Sequence, residues 1–180
     1  MDAKTLLYSA IDRIGKDTIR SDLVMDFRLS DKYISRIIEE CLARMDAEGV
    51  DALSEDICEG LLHFLLTALS IPSERKISVE GVDVDIVIPS AKVLRKSPDK
   101  ALIIQVLRSH EPQSKETARL AAKIQPVAEN IWYVENHPKR TDGFRTYSIY
   151  PGHHRFSRII IDIMAFLDEK GVSGLKLVHG

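Results

Sequence analysis

Asp83 and Asp85 are the only charged side chains in 82–88, a run otherwise made of valine and isoleucine. On an extended strand successive side chains alternate, which predicts Asp83, Asp85 and Val87 on one face and Val84, Ile86 and Ile88 on the other. Two carboxylates on one face of an apolar strand are costly to desolvate unless something compensates them. A divalent cation would do so, and oxygen donors suit magnesium or manganese. Gln105 is the only polar side chain in 101–107; buried, it needs hydrogen-bond partners, and its carbonyl oxygen is a neutral metal donor. The plainer alternative for the aspartates is a strand whose polar face meets water.

The cations fall into groups. Lys92, Arg95, Lys96 and Lys100 sit in a polar stretch at 90–100, and Arg108 follows the apolar run. Lys139, Arg140, Arg145, Arg155 and Arg158 make 137–158 basic. If these segments converge, they form the phosphate-binding flank of a nucleic-acid groove. Lys115, Arg119 and Lys123 are spaced to share a helix face, the ordinary position of solvated charges. The segment 147–155 also concentrates Tyr, His and Arg, residue types that could supply a general base without metal. A polar loop before the last helix is the simpler reading.

The elements that must position these groups follow from periodicity. Leu6, Leu7, Ala10, Ile11 and Ile14 repeat at helix spacing and stop at Gly15; a short segment at 19–27 follows. Ser30 or Asp31 then caps a helix with an apolar stripe from Tyr33 to Met45. These fifty residues read as a helical segment, either a helix-turn-helix or a dimerisation element. The mixed charges of 31–45 argue against a dedicated phosphate-binding face. From residue 51 an α/β pattern is expected. A leucine-rich helix at 55–69 carries Glu59, and an antiparallel hairpin spans 76–79 and 82–88 around Glu80-Gly81. A central strand at 101–107, a helix at 115–125, strands at 131–134 and 146–150, and a closing helix at 156–170 complete the order.

This order, with its carboxylates, resembles the PD-(D/E)XK nuclease superfamily, in particular its archaeal Holliday-junction-resolvase-like branch. The resemblance covers about residues 53–135. It implies a restriction-endonuclease-like central mixed sheet flanked by helices over 51–180, preceded by the helical segment 1–50. It also implies that Asp85 and Gln105, helped by Asp83 and Glu59, hold a Mg2+ or Mn2+ ion for phosphodiester hydrolysis of DNA or RNA. Val84 precedes Asp85 where the family often has proline. Gln105 stands where an acid is usual and Leu107 where the family's lysine belongs, a charge leucine cannot replace. Some members supply that cation from the following helix, which makes Lys115 or Lys123 the substitute, with Asp85 and Gln105, in the catalytic set. Lys92, Arg95, Lys96, Arg108, Arg119, Lys139, Arg140, Arg145 and Arg155 would then contact nucleic acid. The alternatives are a catalytically inactive nucleic-acid-binding or assembly module, and a structural homodimer. The family's habits also imply a homodimer.

Composition narrows the field. The chain of 180 residues has 25 Lys and Arg against 27 Asp and Glu, a net charge of -2, so no global positive field draws it to nucleic acid. At 44% hydrophobic it can bury a sizeable core. Cys41 and Cys58 form neither a disulfide framework nor a zinc motif. No apolar run is long enough to span a membrane, and the N-terminus does not read as a secretion signal. A cytoplasmic protein is expected. Phosphate-binding glycine loops, GxSxG and HExxH are all missing from the sequence.

Overall fold

The computed structural model describes residues 2–45, 47–108, 114–136, 143–151 and 154–172. Asp2 starts α1 (Ala3–Ile14) by accepting the Thr5 N–H at 2.7 Å, and Gly15, at φ +106°, ends it. Helices α2 (Lys16–Met25) and α3 (Ser30–Leu42) follow, then the long α4 (Ala47–Ala68). The hairpin strands β1 (Glu74–Val79) and β2 (Val82–Ile88) lead to α5 (Ala91–Lys96) and β3 (Leu102–Leu107). Helix α6 (Ser114–Ile124), strands β4 (Ile131–Glu135), β5 (Arg145–Ser148) and β6 (His154–Arg155), and α7 (Ile159–Glu169) are the remaining described helices and strands.

Among the described residues six strands form one mixed sheet in sequence order. β1, β2 and β3 are antiparallel; β3 to β6 run parallel. Helices α1 to α4 and α7 cover one face, where Leu61, Leu65, Ile34, Ile37 and Ile163 pack on Ile86, Ile104, Val106, Trp132 and Val134. The N-terminal helices share this core with the sheet. At Gly60 the Leu7 side chain of α1 packs so closely on the α4 backbone that a Cβ would lie 2.8 Å from Leu7 Cδ2. Helices α5 and α6 cover the other face, where Leu94 and Ile124 pack with Val82, Val84, Val87 and Ile103, and Ala121 packs with Leu107, Ile131 and Tyr133. Among the described residues no helix is long and apolar enough to cross a membrane.

Two sequence expectations are corrected. The stretch 90–100, read as a polar separator, contains α5: the Ser90 hydroxyl accepts the Val93 N–H at 3.2 Å, and Ala91 and Leu94 turn inward. Its cations Lys92, Arg95 and Lys96 occupy the exposed side. The simple alternation in β2 also fails. Val82, Val84 and Val87 face α5 and α6, whereas Ile86 and Ile88 face α4. The phase changes around Asp85, where the β1–β2 ladder skips the Lys76–Asp85 pair and Lys76 takes a positive φ of 46°.

Candidate functional site

The β2–β3 ladder runs from Ile88↔Leu102 to Ile86↔Ile104 and ends there. Beyond that point side chains take over the work of the backbone. Asp85 N–H donates to Gln105 Oε1 at 2.7 Å, and Gln105 Nε2 donates to the Asp83 carbonyl at 3.0 Å. In the other direction Val106 N–H donates to Asp85 Oδ2 at 2.8 Å. Gln105 is 2% exposed and has both ends of its amide engaged. Asp83 is exposed, and its contribution here is the backbone carbonyl.

Around this seam lies a cluster of alternating charges. Glu59, on α4, is buried. Its Oε1 accepts from Arg75 Nη2 at 3.0 Å and lies 3.3 Å from Lys76 Nζ, and its Oε2 accepts from Arg108 Nη2. Arg108 Nε donates to Asp56 Oδ1 at 2.9 Å, and Arg108 Nη1 lies 3.9 Å from Asp85 Oδ1. The guanidinium, whose side chain is 14% exposed, therefore ties together carboxylates from α4 and β2. Burial raises the Asp85 pKa above the ordinary carboxylate value, against the opposing pull of the Val106 N–H and Arg108, while Glu59 adds to the rise. Burial works against the charge on Arg108, but Asp56, Glu59 and Asp85 overcome it and its pKa is raised. His63 lies one helical turn beyond Glu59. Its pKa is lowered by burial and then by Arg75.

The structure thus brings together Glu59, Asp85 and Gln105, three of the residues that sequence singled out. Arg108, expected on a phosphate-binding flank, points into the carboxylates. Sequence reading missed Asp56, Arg75 and Lys76; the one available signal was the i, i+3 spacing of Asp56 and Glu59 on a helix whose other face is apolar. Leu107 is buried against Ala121, Ile131 and Tyr133, so the position where the resemblance implies a lysine is an apolar one here. Lys123 is exposed on α6, and the exposed Arg119 pairs with Glu116 at 3.3 Å. Lys115 lies on α6, but its side chain, like Lys139 and Arg140, falls outside the described residues. Arg145, His154, Arg155, Arg158 and Asp162 line a separate open cleft.

These donors, as arranged, do not fit a divalent cation. Three carboxylates, Asp56, Glu59 and Asp85, already face three cations, Arg75, Lys76 and Arg108. Gln105 Oε1 is turned to a backbone N–H. A magnesium ion needs several oxygens in octahedral array, and one placed between Asp85 and Glu59 would meet the Arg108 guanidinium. Among the described residues no group of three or more Asp, Glu, His or Cys is arranged to hold a metal.

No family model matches the chain, and no curated protein matches it in sequence. Solved structures do. The restriction endonuclease PspGI in a complex with substrate DNA superposes with a TM-score of 0.65 over 94% of each chain, at 16% identity. Metal-depleted Ecl18kI bound to uncleaved, modified DNA superposes with a TM-score of 0.63 over 99% of this chain and 82% of the other, at 10% identity. A second metal-depleted Ecl18kI complex, with uncleaved DNA, gives 0.55 at the same identity. These neighbours share the restriction-endonuclease-like fold that the resemblance implied, and they do not confirm its resolvase-like branch. With its mixed sheet between helical layers, the chain has a restriction-endonuclease-like fold.

Proposed function

We propose that this chain is a nucleic-acid-binding member of the restriction-endonuclease-like fold whose cleavage centre is held shut. One observation carries the reading: the Arg108 guanidinium sits among Asp56, Glu59 and Asp85, where a metal nuclease needs free oxygen donors. The apolar setting of Leu107 agrees with it, because the cation that would stabilise a developing phosphorane is missing at that position. Support for nucleic acid as the partner comes from the neighbours, which are described as DNA complexes, and from the exposed cations Lys92, Arg95, Lys96, Arg119 and Arg155. Magnesium or manganese, on this reading, plays no part in binding.

The test titrates Mn2+ calorimetrically into wild type and Asp85→Ala, then incubates both with linear, branched and single-stranded DNA and RNA. Binding is followed by fluorescence anisotropy in EDTA at several salt concentrations. The expected result is no metal-dependent cleavage, with binding in EDTA whose log affinity falls by about 0.9 per phosphate contact for each unit of log salt. Cleavage that needs Mn2+ and disappears in Asp85→Ala overturns the proposal and makes the chain a nuclease with a relocated cation. Sedimentation of the same preparation tests the homodimer that the resemblance implies.

A further inference from the structure

A second cationic site lies at the far edge of the sheet. Arg145, His154, Arg155 and Arg158, with Asp162, line an open cleft of about 500 Å3. That volume falls within the roughly 300–1,000 Å3 common for small-ligand sites. With the histidine counted as neutral, three arginines face Asp162 in the cleft and Asp31 beside Arg158, an excess of one positive charge in a chain whose net charge is -2.

The cleft has one rigid wall. Arg145 lies 4.8 Å over the Trp132 ring and 5.5 Å from that of Tyr147, and one of its Nη atoms is 3.2 Å from Asp162 Oδ2. The same carboxylate oxygen accepts the Tyr147 hydroxyl at 2.8 Å. Trp132 and Tyr147 belong to the main core, so the guanidinium plane is fixed by packing as well as by charge. Asp162 is thereby committed to Arg145 and Tyr147. The His154 ring packs against that of Tyr147 with centroids 5.5 Å apart and planes tilted by 39°, which holds a second donor at the rim. Arg155 is exposed, and Arg158 makes a long contact of 3.8 Å with Asp31 at the surface. Such a surface contact is weak enough to yield to a ligand. An arginine held over an aromatic wall and flanked by two exposed ones suits a tetrahedral oxyanion, which accepts several charge-assisted hydrogen bonds at once.

We infer that this cleft is a phosphate-binding site, separate from the closed centre at the β2–β3 seam, and that it receives a phosphate group of a nucleic-acid strand. The site stands on the residues just described; the strand as the source of the phosphate rests on the nucleic-acid-binding reading above.

The test follows the ring signals of His154 by NMR while inorganic phosphate is added at constant ionic strength, with chloride as the control. Wild type is compared with the double variant Arg155→Gln/Arg158→Gln, whose altered side chains are at the surface and whose thermal melting is checked alongside. Saturable shifts in wild type, weakened roughly tenfold or more in the variant, are expected. Shifts that grow linearly with phosphate, or match those of the correctly folded variant, overturn the inference. Short oligonucleotides with a 5′-phosphate or a 5′-hydroxyl then compete with phosphate. Displacement by both assigns a backbone phosphate, and displacement by the phosphorylated one alone assigns a strand end. If phosphate saturates the cleft but no nucleic acid displaces it, the site stands and the strand assignment falls. If the protein binds nucleic acid and the double variant binds it equally well, the strand assignment falls while the nucleic-acid reading stands.

Discussion

The Gln105 side chain and the Asp85 backbone are paired as two strands would be: Asp85 N–H donates to Gln105 Oε1 at 2.7 Å at the point where the β2–β3 ladder stops. The amide's other end closes on the Asp83 carbonyl, so one buried side chain stands in for a missing rung. Gln105→Ala therefore removes two hydrogen bonds and leaves their backbone partners without a protein partner. We expect a loss of about 2 kcal/mol or more, read from urea unfolding midpoints. Gln105→Glu keeps the acceptor but sets an oxygen against the Asp83 carbonyl. It should be destabilised at neutral pH and recover partly in acid, where the protonated carboxyl can donate. A neutral effect of either change would mean that the amide bridge contributes nothing to the seam.

Leu107→Lys installs the residue type that the resemblance implies at this position, yet cleavage is not expected to follow. The new ammonium would be buried against Ala121, Ile131 and Tyr133 while Arg108 still ties up the carboxylates. Burial lowers a lysine pKa, so the variant should lose about 3 kcal/mol or more at neutral pH. The sign of the pH dependence follows. Between the depressed folded value and the unfolded value of about 10.4, the unfolded chain binds more protons, so stability rises with pH. Denaturation midpoints from neutral to alkaline pH test this, and a variant as stable as wild type at pH 7 would contradict the apolar setting.

Much of the fold is legible in the sequence because its cores are periodic. Ile34, Ile37, Ile38 and Cys41 announce α3, and Leu61, Leu62, Leu65 and Leu66 announce α4, because each set faces one buried layer. Helix α5 is harder to see, since a single Ser90 cap and two inward residues are diluted by Lys92, Arg95 and Lys96. The phase change in β2 is not legible at all, because it depends on a side-chain bridge from Gln105, 20 residues later. The centre was half legible. Asp85, Gln105 and Glu59 stand out as polar residues in apolar runs, whereas Arg108 looks like any cation after a strand. Its partners Asp56 and Glu59 lie 52 and 49 positions away, and only the packing of α4 across the strand ends reveals the cluster.

Arg108 is the residue whose removal should change the character of the centre. In Arg108→Ala, Glu59 keeps Arg75 and Lys76, but Asp56 and Asp85 lose the cation between them. Breaking a largely buried ion cluster by removing one member costs about 3–5 kcal/mol. The vacated position is then bordered by carboxylate oxygens, so the variant should gain calorimetric Mn2+ binding that wild type lacks, and Mn2+ should recover part of the lost melting temperature. If wild type and variant respond alike to Mn2+, Arg108 is not what closes the centre.

Asp85 and Glu55 give the pH dependence a definite sign. Burial raises both pKa values, from ordinary values of 3.8 and 4.5. Between the ordinary and the raised value of each group, the folded chain binds more protons than the unfolded chain. Each group's stabilising contribution is thus fully present below its ordinary value and is lost as pH rises through the raised one. Asp2 and Asp26, whose values are lowered by hydrogen bonds to Thr5 and Arg28, act in the opposite direction, so the wild-type curve alone does not isolate the effect. The difference between wild type and Asp85→Asn does. The asparagine keeps an oxygen to accept the Val106 N–H but does not titrate, so wild type should lose stability relative to the variant as pH climbs from about 4 toward neutrality. Glu55→Gln should behave the same way. Unfolding midpoints across that range supply the measurement; a difference that stays flat, or grows in favour of wild type, would mean that the Asp85 carboxylate is stabilised in its charged form by its partners at least as much as it is penalised by burial.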